Sequence, residues 1–317
     1  MAFGSLLGNE RLKQNLLTTL GRGHISHFYL ISGPTGSGRH TLAKLLAAAI
    51  LCKRANAPCT TCAVCRKVLD NTHPDFITVD DPEKRTVPVD LIRQARSDIY
   101  IQPNESDHKI YLVPRAQDMG VPGQNALLKI LEEPPKYGVF ILLTNNPEQL
   151  LPTVRSRCTL LSLQPLEESV LRNALEKEFP KASAEDISAA IFRSGGFLGQ
   201  AKTLLETGAA LPPQTQSFAE SFAARDAYGL TATLAPMEKW KRDQLIPVLQ
   251  QWVALLEGSL ACRAGMPEAN PLSRAISTQR SSRDLMLAIS HLQKAIEYAQ
   301  GNVSVAAICG WLSWQLR

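Results

Sequence analysis

Residues 33–41 read Gly-Pro-Thr-Gly-Ser-Gly-Arg-His-Thr, set between the apolar run His27 to Ser32 and a helical pattern over Thr41 to Leu51. A glycine-rich turn leading from a buried strand into a helix is the setting of a phosphate-binding loop. In the working form, G-x-x-x-x-G-K-[ST], backbone N–H groups cradle phosphate oxygens, the Lys reaches the β/γ-phosphates and the hydroxyl ligates Mg²⁺. Gly33, Gly36 and Gly38 keep the turn, but Arg39 stands in the Lys position and His40 in the hydroxyl position. Thr41 does not restore the hydroxyl, because one step along a helix swings a side chain by about 100°. The outline of a nucleotide site is present without its chemistry.

The rest of the first half repeats the same alternation. Short apolar, β-branched runs at Phe76 to Asp80, Lys109 to Val113, Val139 to Thr144 and Thr159 to Leu163 alternate with helical patterns at Glu10 to Leu20, Val89 to Ile99 and Gly123 to Glu133. This order predicts an α/β fold with a parallel sheet and crossover helices. Glu132-Glu133-Pro134-Pro135 marks a sharp helix stop, since proline cannot continue a helix and restricts the residue before it. After Pro165 the strands cease. Glu167 to Glu206 reads as three short helices broken at Pro180 and at Ser194-Gly195-Gly196, Gly208 to Pro213 as a linker, and Thr215 to Arg317 as helices, among them Gln244 to Cys262 and Asp284 to Gln300. Trp240, Trp252, Trp311 and Trp314 are the expected anchors of that last region.

A chain of 317 residues exceeds what one core usually serves, so two or three domains are expected. No stretch approaches ~20 uncharged apolar residues and no signal architecture opens the chain, which points to the cytoplasm. The net charge of +5 is compatible with a polyanionic partner but too small to argue for one. Four of the seven cysteines fall in one C-x6-C-x2-C-x2-C segment: Cys52, Cys59, Cys62 and Cys65. In a reducing compartment this density points to a tetrahedral Zn²⁺ site rather than a disulfide framework. Four thiolates close the coordination sphere, so the metal is expected to be structural. Cys158, Cys262 and Cys309, in apolar or helical contexts, are expected as small core residues.

Nucleotide hydrolysis on such a sheet needs an acid at the end of a second apolar strand. The strand Lys109 to Val113 is followed instead by Pro114-Arg115, and Asp118 lies too far along, with a solvated loop or helix as its expected place. The loop Lys, the loop hydroxyl and the strand-end acid are lost together.

Several segments resemble bacterial clamp-loader subunits of the AAA+ family. They are Phe3-Gly4-Ser5-Leu6-Leu7-Gly8, His27-Phe28-Tyr29-Leu30, the four-cysteine insertion, Asn125 through Pro135, Thr144-Asn145-Asn146-Pro147 and Ser156-Arg157-Cys158. The resemblance covers residues 1 to about 205; beyond that it is one of length and helicity. It implies a P-loop AAA+ domain at 1–164 carrying the zinc insertion (52–65), a small helical lid at 165–208 and an all-helical C-terminal collar at 209–317. Two types in the family share the pattern, the ATP-hydrolysing gamma/tau motor and the delta-prime type, which commonly lacks a competent ATP site. Arg39, His40, Pro114 and Arg115 align this chain with the second type, and so does Gly199 in Gly196-Phe197-Leu198-Gly199-Gln200-Ala201, where motors carry a nucleotide-sensing Arg.

The resemblance further implies a non-hydrolysing part of a DNA polymerase III holoenzyme, which carries DNA-directed DNA polymerase activity. Its partners would be gamma/tau and delta subunits, the sliding clamp and primed DNA. Gly33, Gly36, Gly38, Arg39, His40 and Thr41 would be a degenerate ATP loop. Arg157 would reach into the ATP site of a neighbouring subunit, where a guanidinium supplied in trans accelerates hydrolysis by roughly 10³–10⁵. Arg155 competes for that role, and a surface arginine capping the loop before Thr159 is the plain structural alternative. Thr144 and Asn145 match the family's polar sensor. Two other readings stay open: a motor in which Arg39 substitutes for Lys, and a zinc-containing nucleic-acid-binding regulator on a relic P-loop fold.

Overall fold

The computed structural model describes residues 3–207, 212–266, 270–301 and 303–317. Residues 208–211 of the expected linker, with the 208/209 boundary, lie outside them. The chain forms two compact units, one of Met1–Leu175 with Gly196–Ala201 and one of Glu176–Gly195 with Lys202–Arg317.

The first unit is built on a five-stranded parallel sheet of β1 (Phe28–Ser32), β2 (Phe76–Thr78), β3 (Lys109–Val113), β4 (Gly138–Thr144) and β5 (Thr159–Ser162), in the order β2-β3-β4-β1-β5. Strands β1, β3 and β4 are buried at every position, which is why they read as continuous apolar runs: helices cover both faces of a parallel sheet. On one face Leu42, Leu45 and Leu46 of α2 (Arg39–Leu51) join Leu16 of α1 (Glu10–Gly21) in the core. On the other, Ile92 of α4 (Val89–Asp98) meets Leu127 and Ile130 of α5 (Val121–Glu132). A short helix, α3 (Ala63–Leu69), lies within the cysteine segment, and α6 (Pro152–Arg155) precedes β5.

Register decides where the candidate site lies. Ser32 is level with Thr144 of β4 on one side and Ser162 of β5 on the other, and Val113 pairs with Leu142. The turn after β1 and the Pro114-Arg115 segment after β3 therefore leave the same end of the sheet, the carboxyl end, where open α/β sheets bind their ligands.

Helices α7 (Glu168–Glu178), α8 (Ala184–Arg193) and α9 (Leu198–Thr207) match the three short helices expected. The second unit continues with α10 (Pro213–Ala223), α11 (Ala227–Leu234), α12 (Arg242–Arg263), α13 (Pro271–Gln279), α14 (Ser282–Gln300) and α15 (Val305–Gln315). At its centre the Trp252 ring stacks on Phe218 with centroids 4.1 Å apart, and its indole N–H donates to Thr215 Oγ1. Helix α12 is long and apolar enough to cross a membrane by length and composition, although Arg242, Asp243, Glu257 and Arg263 keep it short of an uncharged apolar run of about 20 residues. It buries Leu245, Leu249, Trp252, Leu255 and Leu256 in this core.

Two expectations about single residues need correction. Trp240 and Trp311 are partly buried against the core, but Trp314 is 69% exposed and packs under the Arg317 guanidinium. Among the three remaining cysteines only Cys309 is fully buried; Cys158 and Cys262 are half-buried.

Candidate functional site

The loop after β1 has glycine at both positions where its backbone takes a positive φ. Gly36 and Gly38 have φ of 78° and 93°, and a Cβ on Gly33 would stand 2.6 Å from Ser37 Oγ. The turn is held by Gly33 N–H donating to Thr144 O (3.2 Å) and Ser37 N–H to Pro34 O (3.1 Å). Helix α2 starts at Arg39 with Gly38 as its N-cap and no acid in its first turn. The positive end of the helix dipole thus coincides with the Arg39 cation. Arg39 Nη1 is buried with no hydrogen-bond partner among the described residues, and burial lowers the guanidinium pKa. Partial desolvation of its ring, together with the Arg39 and Lys44 charges, holds His40 below its ordinary pKa against the opposing pull of Asp80. Neutral His40 offers no oxygen ligand to a hard cation such as Mg²⁺.

Just beyond β3, where nucleotide hydrolysis needs an acid, stands the guanidinium of Arg115. It binds the Asp80 carboxylate through two parallel contacts, Nη2 to Oδ1 at 2.7 Å and Nε to Oδ2 at 3.0 Å. The carbonyls of Asp81, Lys84 and Arg85 accept its remaining hydrogen bonds. Hydrogen bonding to Asp80 raises the Arg115 pKa despite some desolvation. Asp80, beyond β2, was not singled out in the sequence, since nothing local shows which strand end faces Arg115. Asp118 lies in a 3-10 turn, half-buried, 3.9 Å from Arg115.

The first turn of α9 packs on the same loop. Gly199 N–H donates to Gly36 O at 2.9 Å.

Arg157 follows α6 and is 42% exposed; Nη1 donates to Thr153 O at 3.1 Å and Nη2 lies 3.8 Å from Glu132. Arg155 is more buried and forms an ion pair with Glu148. A buried amide that sequence reasoning missed, Gln124 in α5, fixes this corner. Its Nε2 donates to Met119 O and Gln149 O, and its Oε1 accepts from Leu151 N–H at 2.7 Å. Thr144 is fully buried, with its hydroxyl accepting from Asn146 N–H, while Asn145 is exposed. The buried Thr144 side chain thus serves the turn after β4.

The four cysteines converge. Cys52 caps the end of α2, Cys62 is the N-cap of α3, Cys65 lies in its first turn and Cys59 lies in the loop between the helices. Four thiolates about 2.3 Å from one Zn²⁺ stand about 3.8 Å apart along the tetrahedron's edges. Here Sγ of Cys52 and Cys59 are 3.8 Å apart, of Cys52 and Cys62 3.9 Å and of Cys59 and Cys65 3.8 Å, and all four lie within 4.8 Å of one another. The residues fit a single metal ion. Cys65 N–H points at Cys62 Sγ, and Thr61 Oγ1 at Cys59 Sγ. Hydrogen bonding, first from the Thr61 backbone, pulls the Cys59 thiol down to about 5, whereas burial pushes Cys65 up.

Residues 8–167 match the family model described as DNA polymerase III, delta subunit. The chain belongs to this family. Among curated relatives of the family member, the delta' subunit of DNA polymerase III from Pseudomonas aeruginosa is 33% identical over 179 residues, 56% of this chain and 55% of that one. The tau subunit from Bacillus subtilis is 32% identical over 177 residues, 55% of this chain and 31% of that one. The matches span between about a quarter and somewhat over half of these relatives' lengths. A gamma subunit-related protein of known structure from Thermotoga maritima is 16% identical, covering 95% of this chain and all of that one with a TM-score of 0.40.

Proposed function

We propose that this chain is a delta-prime-type subunit of a bacterial clamp loader: a cytoplasmic AAA+ protein that does not hydrolyse ATP and helps place the sliding clamp on primed DNA. The observation that carries this reading is the Arg115–Asp80 pair. A guanidinium stands beyond β3, and Asp80, the carboxylate whose charge acts on His40 of the phosphate loop, is already paired with it. With Arg39 and His40 in the loop, the protein supplies neither the ordinary phosphate-binding Lys nor an oxygen ligand for Mg²⁺, the main contributions such a site makes to phosphoryl transfer.

The chain's work would then be structural and catalytic in trans. Arg157, exposed beside α6, would be offered to the ATP site of a neighbouring gamma/tau motor, and the helices beyond residue 209 would form a collar with gamma/tau and delta subunits. Cys52, Cys59, Cys62 and Cys65 would hold one structural Zn²⁺, which offsets part of the thiolate charge and ties α2 to α3 without an open coordination position.

The match to tau keeps one alternative in view, a motor in which Arg39 replaces the loop Lys. Steady-state ATP turnover separates the two. The purified chain should show none above background with Mg²⁺ and primed DNA, and should restore clamp loading when added to gamma/tau and delta. Turnover that disappears in Arg39→Ala would transfer the chain to the motor class.

A further inference from the structure

Gly199 and Gly36 meet backbone to backbone, and the fit is closed to any side chain. Besides the hydrogen bond between them, a Cβ on Gly199 would stand 2.7 Å from Gly36 Cα, and a Cβ on Gly36 only 2.4 Å from the Gln200 nitrogen. The far side of the turn is fixed as tightly. Leu166 N–H donates to Gly196 O at 2.9 Å, a Cβ on Gly196 would fall 2.7 Å from Pro165 Cβ, and Ala201 is fully buried. Gly196–Ala201 accordingly belongs to the first compact unit, with the loop it touches.

We propose that this turn is a built-in latch. The first turn of α9 holds the phosphate loop in one conformation through the Gly36–Gly199 contact, with no nucleotide required. The proposal rests on the non-hydrolysing reading and deepens it, by naming what orders the loop in place of a bound nucleotide. Glycine at 199 is therefore more than a missing arginine. An arginine there would force the loop and the turn apart before its Cβ alone could be accommodated, because the atoms it meets are backbone and cannot rotate away. The latch also accounts for Gly36: its φ of 78° and the nearby Gln200 nitrogen exclude other residues independently.

Hydrogen exchange on the full chain tests this directly. In the wild type without nucleotide, the Gly199 amide should exchange at least about 100-fold more slowly than an open amide, and millimolar ATP with Mg²⁺ should leave it unchanged. Gly199→Ala should lose protection across 33–41 and 196–201 while β3 and β4 keep theirs. Should that variant fail to fold, Gln200→Ala retains the backbone contact and should exchange like the wild type; loss of protection there would assign the contact to the Gln200 side chain and overturn the latch. Exchange of wild-type Gly199 at the open rate, or protection gained only with ATP, would also overturn it. A chain that turns over ATP while Gly199 stays protected would instead sink the non-hydrolysing reading alone.

Discussion

Arg115 grips Asp80 with both faces of its fork, at 2.7 and 3.0 Å, and in doing so ties the end of β3 to the segment after β2. Asp80 is only 11% exposed in its side chain and Arg115 28%, so the pair is partly desolvated. The same guanidinium binds the carbonyls of Asp81, Lys84 and Arg85, and the chain then runs to Val87, which bridges to Met119. Where hydrolysis needs an acid, this chain has a cation that organises the entry to α4.

Arg115→Ala should therefore cost stability as well as charge. Removing hydrogen bonds from a charged group and leaving Asp80 uncompensated is expected to lose about 1–3 kcal/mol in urea unfolding at pH 7. Adding Asp80→Ala should recover part of that loss, since the double variant buries no lone charge. A double variant whose loss equals the sum of the two single losses would show that the pair is not coupled.

The cysteine site should hold about one zinc ion per chain purified without chelator. Cys62→Ser should lose the metal and lower the melting temperature by about 5–10 °C, because the ion ties the end of α2 to α3. Metal well below one equivalent in reducing buffer, by elemental analysis, would contradict the assignment.

Asp75 gives a pH signature. Its carboxylate is fully buried, yet it accepts from the backbone N–H groups of Asn104, Glu105 and Ser106 and from the Asn104 side chain. Burial opposes the charge, and these donors outweigh it, holding the pKa below the ordinary carboxylate range. A depressed pKa means that the unfolded chain binds the proton more readily. The stabilisation is thus present above about pH 4 and lost as pH falls through the folded-state value. Asp75→Asn should destabilise the protein at pH 7 and flatten the acid limb of a stability profile. An acid limb as steep as the wild type's would place the titration elsewhere. The neighbouring His73 and Ser106 do not form a catalytic pair with it. His73 Nδ1 accepts the Asp75 N–H, so the ring proton sits on Nε2, facing the Ser106 hydroxyl rather than able to take its proton.

How legible this protein was in its sequence depended on the range of the interaction. Strands β1, β3 and β4 and the long helices were readable because burial on both sheet faces, or on one helix face, leaves a local pattern. Helix α3 went unread: seven residues are too few for a period, and Cys62 supplies its cap. Trp314 was misplaced because α15 is apolar nearly all round, so its composition does not say which face meets the bundle. The thiol cluster was legible because all four ligands fall within fourteen residues. The Arg115–Asp80 pair and the Gly36–Gly199 contact were not, since each joins segments brought together only by the sheet order and the return of the chain from α8.

Arg157 carries the prediction that separates a working partner from an inert scaffold. Its side chain is 42% exposed and, among the described residues, donates one hydrogen bond, to Thr153 O, with Glu132 3.8 Å away. Such contacts cap the end of a short helix, so Arg157→Ala should shift stability by only about 0.5 kcal/mol and leave zinc content and assembly unchanged. ATP hydrolysis by the reconstituted complex should nevertheless fall, diluted by motor sites that face other subunits. Arg157→Lys should fail nearly as badly, because an ammonium cannot reproduce the planar fork across two phosphate oxygens. Arg155 provides the control. It is engaged with Glu148 and less exposed, so Arg155→Ala should disturb the local ion pair and spare hydrolysis. Pre-steady-state hydrolysis in complexes carrying each variant decides the matter. Equal rates for Arg157→Ala and wild type would reduce Arg157 to a helix cap, and a loss confined to Arg155→Ala would move the trans role two residues upstream.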